Sequence, residues 1–293
     1  MMGTAERPFS GLRSVSDTAL LVAWHRAVET KRPDALFRDP LAVRLSAGRG
    51  EEVARKLRGG RSMAWSTIVR TVLFDEVVGR LVAEGADTVI NLAAGLDARP
   101  YRLSLPATLR WVEVDHPDMI RDKEEALAGE TPVCRVERVA FDISQRDARR
   151  ECLARLTAGS RRTLVMTEAL LVYLPPAIVG ELADDLLAVT PVSDWLTDLA
   201  TPMIARRVRR WWGKQLERAG TAYQFAPEEG TAFFAPHLWR EEEFHSLIDH
   251  AWRLNRKMPG AWMFDLWRRL APRRAERAAQ KWRAGVVRLR RAR

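Results

Sequence analysis

Three acids and a small-residue turn carry the chemistry that this sequence can do. Asp115, Asp142 and Glu168 each fall at the end of a predicted strand: Trp111-Val-Glu-Val-Asp115, Cys134 to Phe141, and Arg162-Thr-Leu-Val-Met-Thr-Glu168. A further strand, the nearly all-apolar Asp87-Thr-Val-Ile-Asn-Leu-Ala93, ends in the turn Ala93-Ala94-Gly95. Carboxylates accept hydrogen bonds from ribose hydroxyls and from an exocyclic amine. A tight turn after a strand, with an acid about 20 residues further on, is the grammar of a nucleotide-type site. The turn lacks the full glycine fingerprint of a dinucleotide site: Gly95 is its one glycine, and Ala93 stands where many such turns have another. It also lacks the Lys and Ser/Thr that would hold a triphosphate. A ligand with an adenosine but no phosphates therefore suits it at least as well as NAD.

Positioning those acids requires a parallel sheet. Thr88, Val89 and Ile90 give the first run the β-branched content of a strand buried on both faces. Helical stretches at 117–128, 145–157 and 176–189 alternate with the strands, and Asp194–Ala200 supplies a fifth strand. Such alternation implies right-handed βαβ units. In an open α/β sheet, ligands sit at the carboxyl ends of the strands, where all three acids fall. Leu170–Leu174 reads as a continuation of the fourth strand.

About 80 residues of mostly helical chain precede the first strand. Residues 14–29 repeat Leu20, Ala23, Trp24, Ala27 and Val28 at helical spacing, with Ser16 or Asp17 as cap. Residues 41–58 read as a second helix, broken at Gly59-Gly60. A third spans 62–82, and Arg70 and Asp75 interrupt its apolar pattern. An arginine there is either a snorkelling side chain or an anion ligand. After the fifth strand, 203–223 reads as helix, Phe225–Pro236 as an aromatic loop and Arg240–Ala251 as helix. Trp252–Arg256 then reads as a strand, 265–283 as a basic helix and Gly285–Arg290 as a last edge strand.

Composition narrows the class. With 293 residues and 47% hydrophobic content the chain can bury a full core. No run approaches the length of a membrane span, and Met1–Leu12 has no signal-like apolar region, so the expected location is cytoplasmic. Two cysteines, Cys134 and Cys152, are too few for a disulfide framework, and no zinc spacing is present. The net charge of +10 is a C-terminal property, because residues 268–293 hold ten Arg, one Lys and one Glu. It does not mark a basic face spread over the fold, and nucleic acid is not an expected partner.

The motifs together resemble the leucine carboxyl methyltransferase-like family of class I S-adenosylmethionine (SAM)-dependent methyltransferases, whose bacterial branch includes polyketide O-methyltransferases. The resemblance rests on Asp17-Thr-Ala-Leu-Leu-Val-Ala23, Phe37-Arg-Asp-Pro-Leu-Ala42, Arg70-Thr71 with Asp75, and Asn91-Leu-Ala-Ala-Gly-Leu-Asp-Ala-Arg-Pro-Tyr-Arg102. Val112-Glu-Val-Asp-His-Pro117 and Thr167-Glu-Ala-Leu-Leu-Val-Tyr-Leu174 complete it. It implies an α/β, Rossmann-like, mostly parallel sheet with a helical N-terminal cap (1–83), a SAM-binding core (84–202), an inserted lid (203–240) and a C-terminal part of the core (241–293). It implies SAM as cofactor and a small-molecule acceptor, with a homodimer as one option.

Carried over by position, Arg70 resembles the arginine that pairs with the SAM carboxylate, and Gly95 the backbone contact of the first turn. Asp115 resembles the ribose ligand, Asp142 and Ile143 the pair framing adenine, and Glu168 an acid lining the site. Ala93 departs from the glycine common in relatives, and His116 is grouped with the cofactor-facing residues. Tyr101 and Tyr173 are candidates on the acceptor side. No residue stands out as a base. The aromatic C-terminal third suits a flat, apolar acceptor methylated on a carboxylate or hydroxyl. A protein carboxyl methyltransferase and an NAD-dependent oxidoreductase remain open alternatives.

Overall fold

Apolar runs of five to eight residues, separated by amphipathic helices, can bury both faces of a sheet only by winding helices over each side. A computed structural model describes residues 15–46, 48–57, 59–189, 191–218, 222–270 and 284–292. Its strands are β1 (Thr88–Leu92), β2 (Arg110–Asp115), β3 (Arg135–Ala140), β4 (Thr163–Thr167), β5 (Val192–Leu199), β6 (Trp239–Ser246) and β7 (Gly285–Arg291). They form one sheet in the order β3-β2-β1-β4-β5-β7-β6. The first five are mutually parallel, and β7 runs antiparallel between β5 and β6. Every residue of β1 and of β4 is buried, as their unbroken apolar runs predict.

The helices before the sheet are α1 (Val15–Thr30), α2 (Pro40–Ser46), α3 (Arg49–Lys56) and α4 (Ala64–Ala83). The predicted helix over 41–58 is therefore two, parted at Gly48, which takes the left-handed φ of +73°. Between the strands lie α5 (Arg99–Arg102), α6 (Pro117–Ala126), α7 (Arg146–Thr157) and α8 (Pro176–Ala188). After β5 come α9 (Pro202–Arg218), α10 (Leu247–Arg253) and α11 (Ala261–Leu270). Buried Val208, Trp212 and Leu216 of α9 pack with Leu21 of α1 and with Val53, Ala54 and Leu57 at α3. None of the described helices is long and apolar enough to cross a membrane.

Several local expectations are corrected. Leu170–Leu174 does not extend β4; Leu171–Tyr173 is a 3-10 turn. Arg240–Ala251 is not one helix, and Trp252–Arg256 is not a strand. The segment Trp239–Ser246 is β6 and Leu247–Arg253 is α10. Its Arg-Glu-Glu-Glu run favours helix locally, but pairing with β7 overrides that preference, and charged residues suit an exposed edge strand. Glu243 is fixed there by Arg80 and by Arg288. Conversely, Gly285–Arg290 is a strand but not an edge, since β6 covers it. Most of the predicted basic helix, 271–283, lies outside the described residues.

Candidate functional site

β1, β2, β3 and β4 all end at one rim of the sheet, and the chain there makes a cavity of about 310 Å³. After Leu92 the backbone turns through Ala93 (φ +56°) and Gly95 (φ +47°). The turn is fixed by Asp115 at the end of β2. One carboxylate oxygen accepts from the Gly95 N–H at 2.6 Å, the other from the His116 N–H at 2.7 Å. The 20-residue spacing thus puts Asp115 directly against the turn, 8% exposed and facing the cavity.

Asp142 follows β3. Its carboxylate accepts from the Ser144 N–H at 2.9 Å and from the Ser144 hydroxyl at 2.7 Å. Burial pushes its pKa up, but these bonds outweigh burial and hold it below the usual carboxylate range. Ile143 and Phe141 beside it supply apolar wall.

Glu168, after β4, belongs to a chain of ion pairs. It accepts from Arg70 Nε at 3.0 Å, and Arg99 Nη1 lies 2.8 Å away. Arg99 also donates to Asp75 at 2.7 Å and to Asp97 at 2.8 Å, and Arg102 binds Asp75 from the other side. Asp75 thus interrupts the apolar pattern of α4 because it anchors two arginines of α5. Arg70 reaches Asp198 at 3.3 Å, and Asp198 accepts from the Ala169 N–H at 2.6 Å. Burial disfavours the charge on Glu168, yet Arg99 and Arg70 keep its pKa below the usual range. Asp198 goes the other way: burial prevails over Arg70 and raises it. Arg70 is therefore neither a snorkelling surface residue nor an isolated cation. It is 14% exposed, lines the cavity and already has two acids on it.

Arg70, Ala93, Gly95, Asp115, His116, Asp142, Ile143 and Glu168 all line the cavity, and so does Tyr173. Tyr101 does not. Its hydroxyl accepts from Arg138 at 2.7 Å, and its ring packs with the cluster around Leu20 and Met119. Sequence reasoning missed the contribution of α1, which brings Thr18, Ala19, Val22 and Arg26 to the cavity. Arg26 is held there by Asp39 and by the Leu96 carbonyl. An arginine beside the apolar stripe of α1 was the available signal. Trp195 and Trp239 pack edge-on in the core, and no tryptophan is among the described residues lining the cavity.

The family profile for leucine carboxyl methyltransferase matches residues 19–187, which contain β1 to β4 and the acids at their ends. The chain belongs to the leucine carboxyl methyltransferase family. A provisionally named SAM-dependent methyltransferase of Mycobacterium bovis is 30% identical over 282 residues, covering 87% of this chain and 89% of that protein. One from Streptomyces coelicolor is 34% identical over 186 residues, 59% of this chain and 64% of that protein. The matches to that protein and to those of Frankia alni and Parafrankia span 64%, 62% and 56% of the relatives' lengths. In fold, this family member is similar to a crystal structure from Thermobifida fusca named as a methyltransferase. The TM-score is 0.60 at 15% identity, with 99% of this chain and 100% of that one covered.

Proposed function

We propose that the chain is a SAM-dependent O-methyltransferase whose acceptor is a small molecule with an apolar body and a carboxylate. The observation that carries the cofactor reading is the charge of the cavity. Four carboxylates (Asp97, Asp115, Asp142 and Glu168) line it against two guanidiniums, Arg26 and Arg70. An excess of fixed negative charge favours a ligand of net positive charge and opposes one bearing a pyrophosphate. A sulfonium nucleoside fits this donor set; a nicotinamide dinucleotide fits it poorly.

In this reading Asp115 accepts from the ribose hydroxyls with lone pairs not used by Gly95 and His116. Asp142 and Ile143 would hold the base, the backbone of the Ala93–Gly95 turn the nucleoside, and Arg70 and Glu168 the amino-acid end. When bound, SAM supplies an activated methyl on a sulfonium, which leaves as a neutral thioether. The chain's own task is then to orient the acceptor and exclude water. α1 covers one side, and α9, packed on α1 and α3, supports it; no described residue of the expected lid, 203–240, lines the cavity.

The nearby tyrosines support a carboxylate acceptor. Tyr173 and Tyr223 stack edge-on at 5.5 Å, and burial pushes both phenols up, so they stay protonated at neutral pH. Neither can take a proton from a neutral hydroxyl. A carboxylate is already ionised and needs no base. The test is calorimetric titration with SAM and with NAD, then turnover on matched carboxylic acids and phenols. SAM binding without NAD binding, and a product methyl released by mild base as an ester, is the expected result. Failure to bind SAM refutes the cofactor reading; a base-stable ether product refutes the carboxylate.

A further inference from the structure

Helix α11 displays an apolar stripe to solvent. Trp262, Met263, Leu266 and Leu270 are 68%, 58%, 50% and 76% exposed, while neighbouring Ala261 is buried. At about 100° per residue, these four positions fall within an arc of about 100°, one continuous face of the helix. Isolated exposed apolar side chains are ordinary, but four on one helical face are not. The sequence from the end of this helix onward is strongly cationic: residues 268–283 hold six Arg and one Lys against one Glu.

We propose that α11 lies on the surface of an anionic phospholipid bilayer, with the stripe among the acyl chains and the adjoining cations at the headgroups. Tryptophan and leucine on one face of a short helix, beside a dense run of arginine, is the pattern of an interfacial helix. Charge selects this occupant over the others. A second copy would bring an equal cationic run against the first, which opposes association. Nucleic acid would satisfy the arginines and leave the stripe in water. An anionic bilayer satisfies both features, and each basic residue near its surface adds attraction that salt weakens. Attachment would be peripheral, since no described helix can span.

The experiment is co-sedimentation of the full chain with vesicles of phosphatidylcholine containing phosphatidylglycerol, and with vesicles of phosphatidylcholine alone. The chain should partition onto the anionic vesicles at low salt, less at high salt, and weakly onto the neutral ones. The triple variant Trp262→Ser, Leu266→Ser, Leu270→Ser should lose about tenfold or more in partition at an unchanged melting temperature, because these side chains are exposed. The triple variant Arg273→Gln, Arg274→Gln, Arg277→Gln should lose the preference for anionic vesicles. Equal partition of wild type and the stripe variant would overturn the proposal. So would absence of binding to anionic vesicles, or a wild-type dimer in sedimentation that the stripe variant dissolves.

Discussion

Asp115 is structural, and in the proposed function it also binds the cofactor. Both of its oxygens are already used to fix the β1 turn, so its removal leaves two backbone N–H groups without their acceptor, at about 1–3 kcal/mol each if buried. Asp115→Ala should therefore lower the melting temperature and also weaken SAM binding by one or more factors of ten, about 1.4 kcal/mol each. Calorimetry on the folded variant separates the two effects, and unchanged affinity would remove Asp115 from the site. Ala93 poses a different question. Its φ of +56° is a conformation that an L side chain adopts at a cost of about 1–2 kcal/mol. Glycine would relieve that but gain freedom in the unfolded chain, worth about 0.4–1 kcal/mol. Ala93→Gly is expected to stabilise by about 0.5–1 kcal/mol, measured by denaturant unfolding; destabilisation would show that the Ala93 methyl makes packing contacts that matter more than its strain.

Between elements, α1 is tied to the approach to α4 by His25. Its Nε2 lies 2.9 Å from the Gly60 carbonyl, which can only accept, and its Nδ1 lies 3.0 Å from the Thr67 hydroxyl. The neutral ring with the proton on Nε2 satisfies both. Burial is the main cause that lowers its pKa from 6.5 to about 4. Above pH 6.5 both folded and unfolded states are neutral at this site. As pH falls from 6.5 to about 4 the unfolded chain takes a proton that the folded chain refuses, so stability falls. Below that the folded state protonates too, and the loss levels off. The expected loss is a few kcal/mol, at about 1.4 per pH unit. Melting temperatures from about pH 7 to about pH 4.5 should fall more steeply for wild type than for His25→Gln. Parallel curves would mean that His25 does not titrate as described. Because α1 and α4 carry Arg26 and Arg70, the same acidification should loosen the wall of the cavity.

At the scale of the molecule, the C-terminal strand is part of the sheet. Val286, Val287 and Leu289 of β7 are fully buried between β5 and β6, and Arg288 pairs with Asp194 and Glu243. Burial of three such side chains is worth roughly 5–9 kcal/mol, against a total stability of about 5–15 kcal/mol. A chain lacking residues 284–293 is expected to aggregate or to melt without cooperativity, as read by circular dichroism and gel filtration. A monodisperse, cooperatively melting truncation would refute this. Deleting 268–293 to test the basic segment would therefore test folding instead, and charge-neutralising substitutions in 273–283 are the usable probe. Part of the C-terminal charge is spent inside the fold: Arg288, Arg290 and Arg291 of β7 all serve internal contacts.

Much of the core was legible because its signals are local. A run such as Thr88–Leu92 can only be a buried strand, and alternation with helices leaves little choice but a parallel sheet whose acids share one rim. The spacing of Gly95 and Asp115 carried the same kind of information, and both face the cavity. What the sequence left open depends on partners far along the chain. Whether Arg240–Ser246 is helix or strand was decided by β7, about forty to fifty residues away in sequence, because the hydrogen bonds of an edge strand come from its neighbour. Tyr101 follows the β1 turn closely in sequence, yet its hydroxyl is bound by Arg138 of β3 and it does not line the cavity. α1 reads as a plain amphipathic helix, and only its docking over the rim makes Thr18, Val22 and Arg26 part of the site. Local periodicity determined the elements and the rim. Long-range pairing and burial decided which side chains meet there.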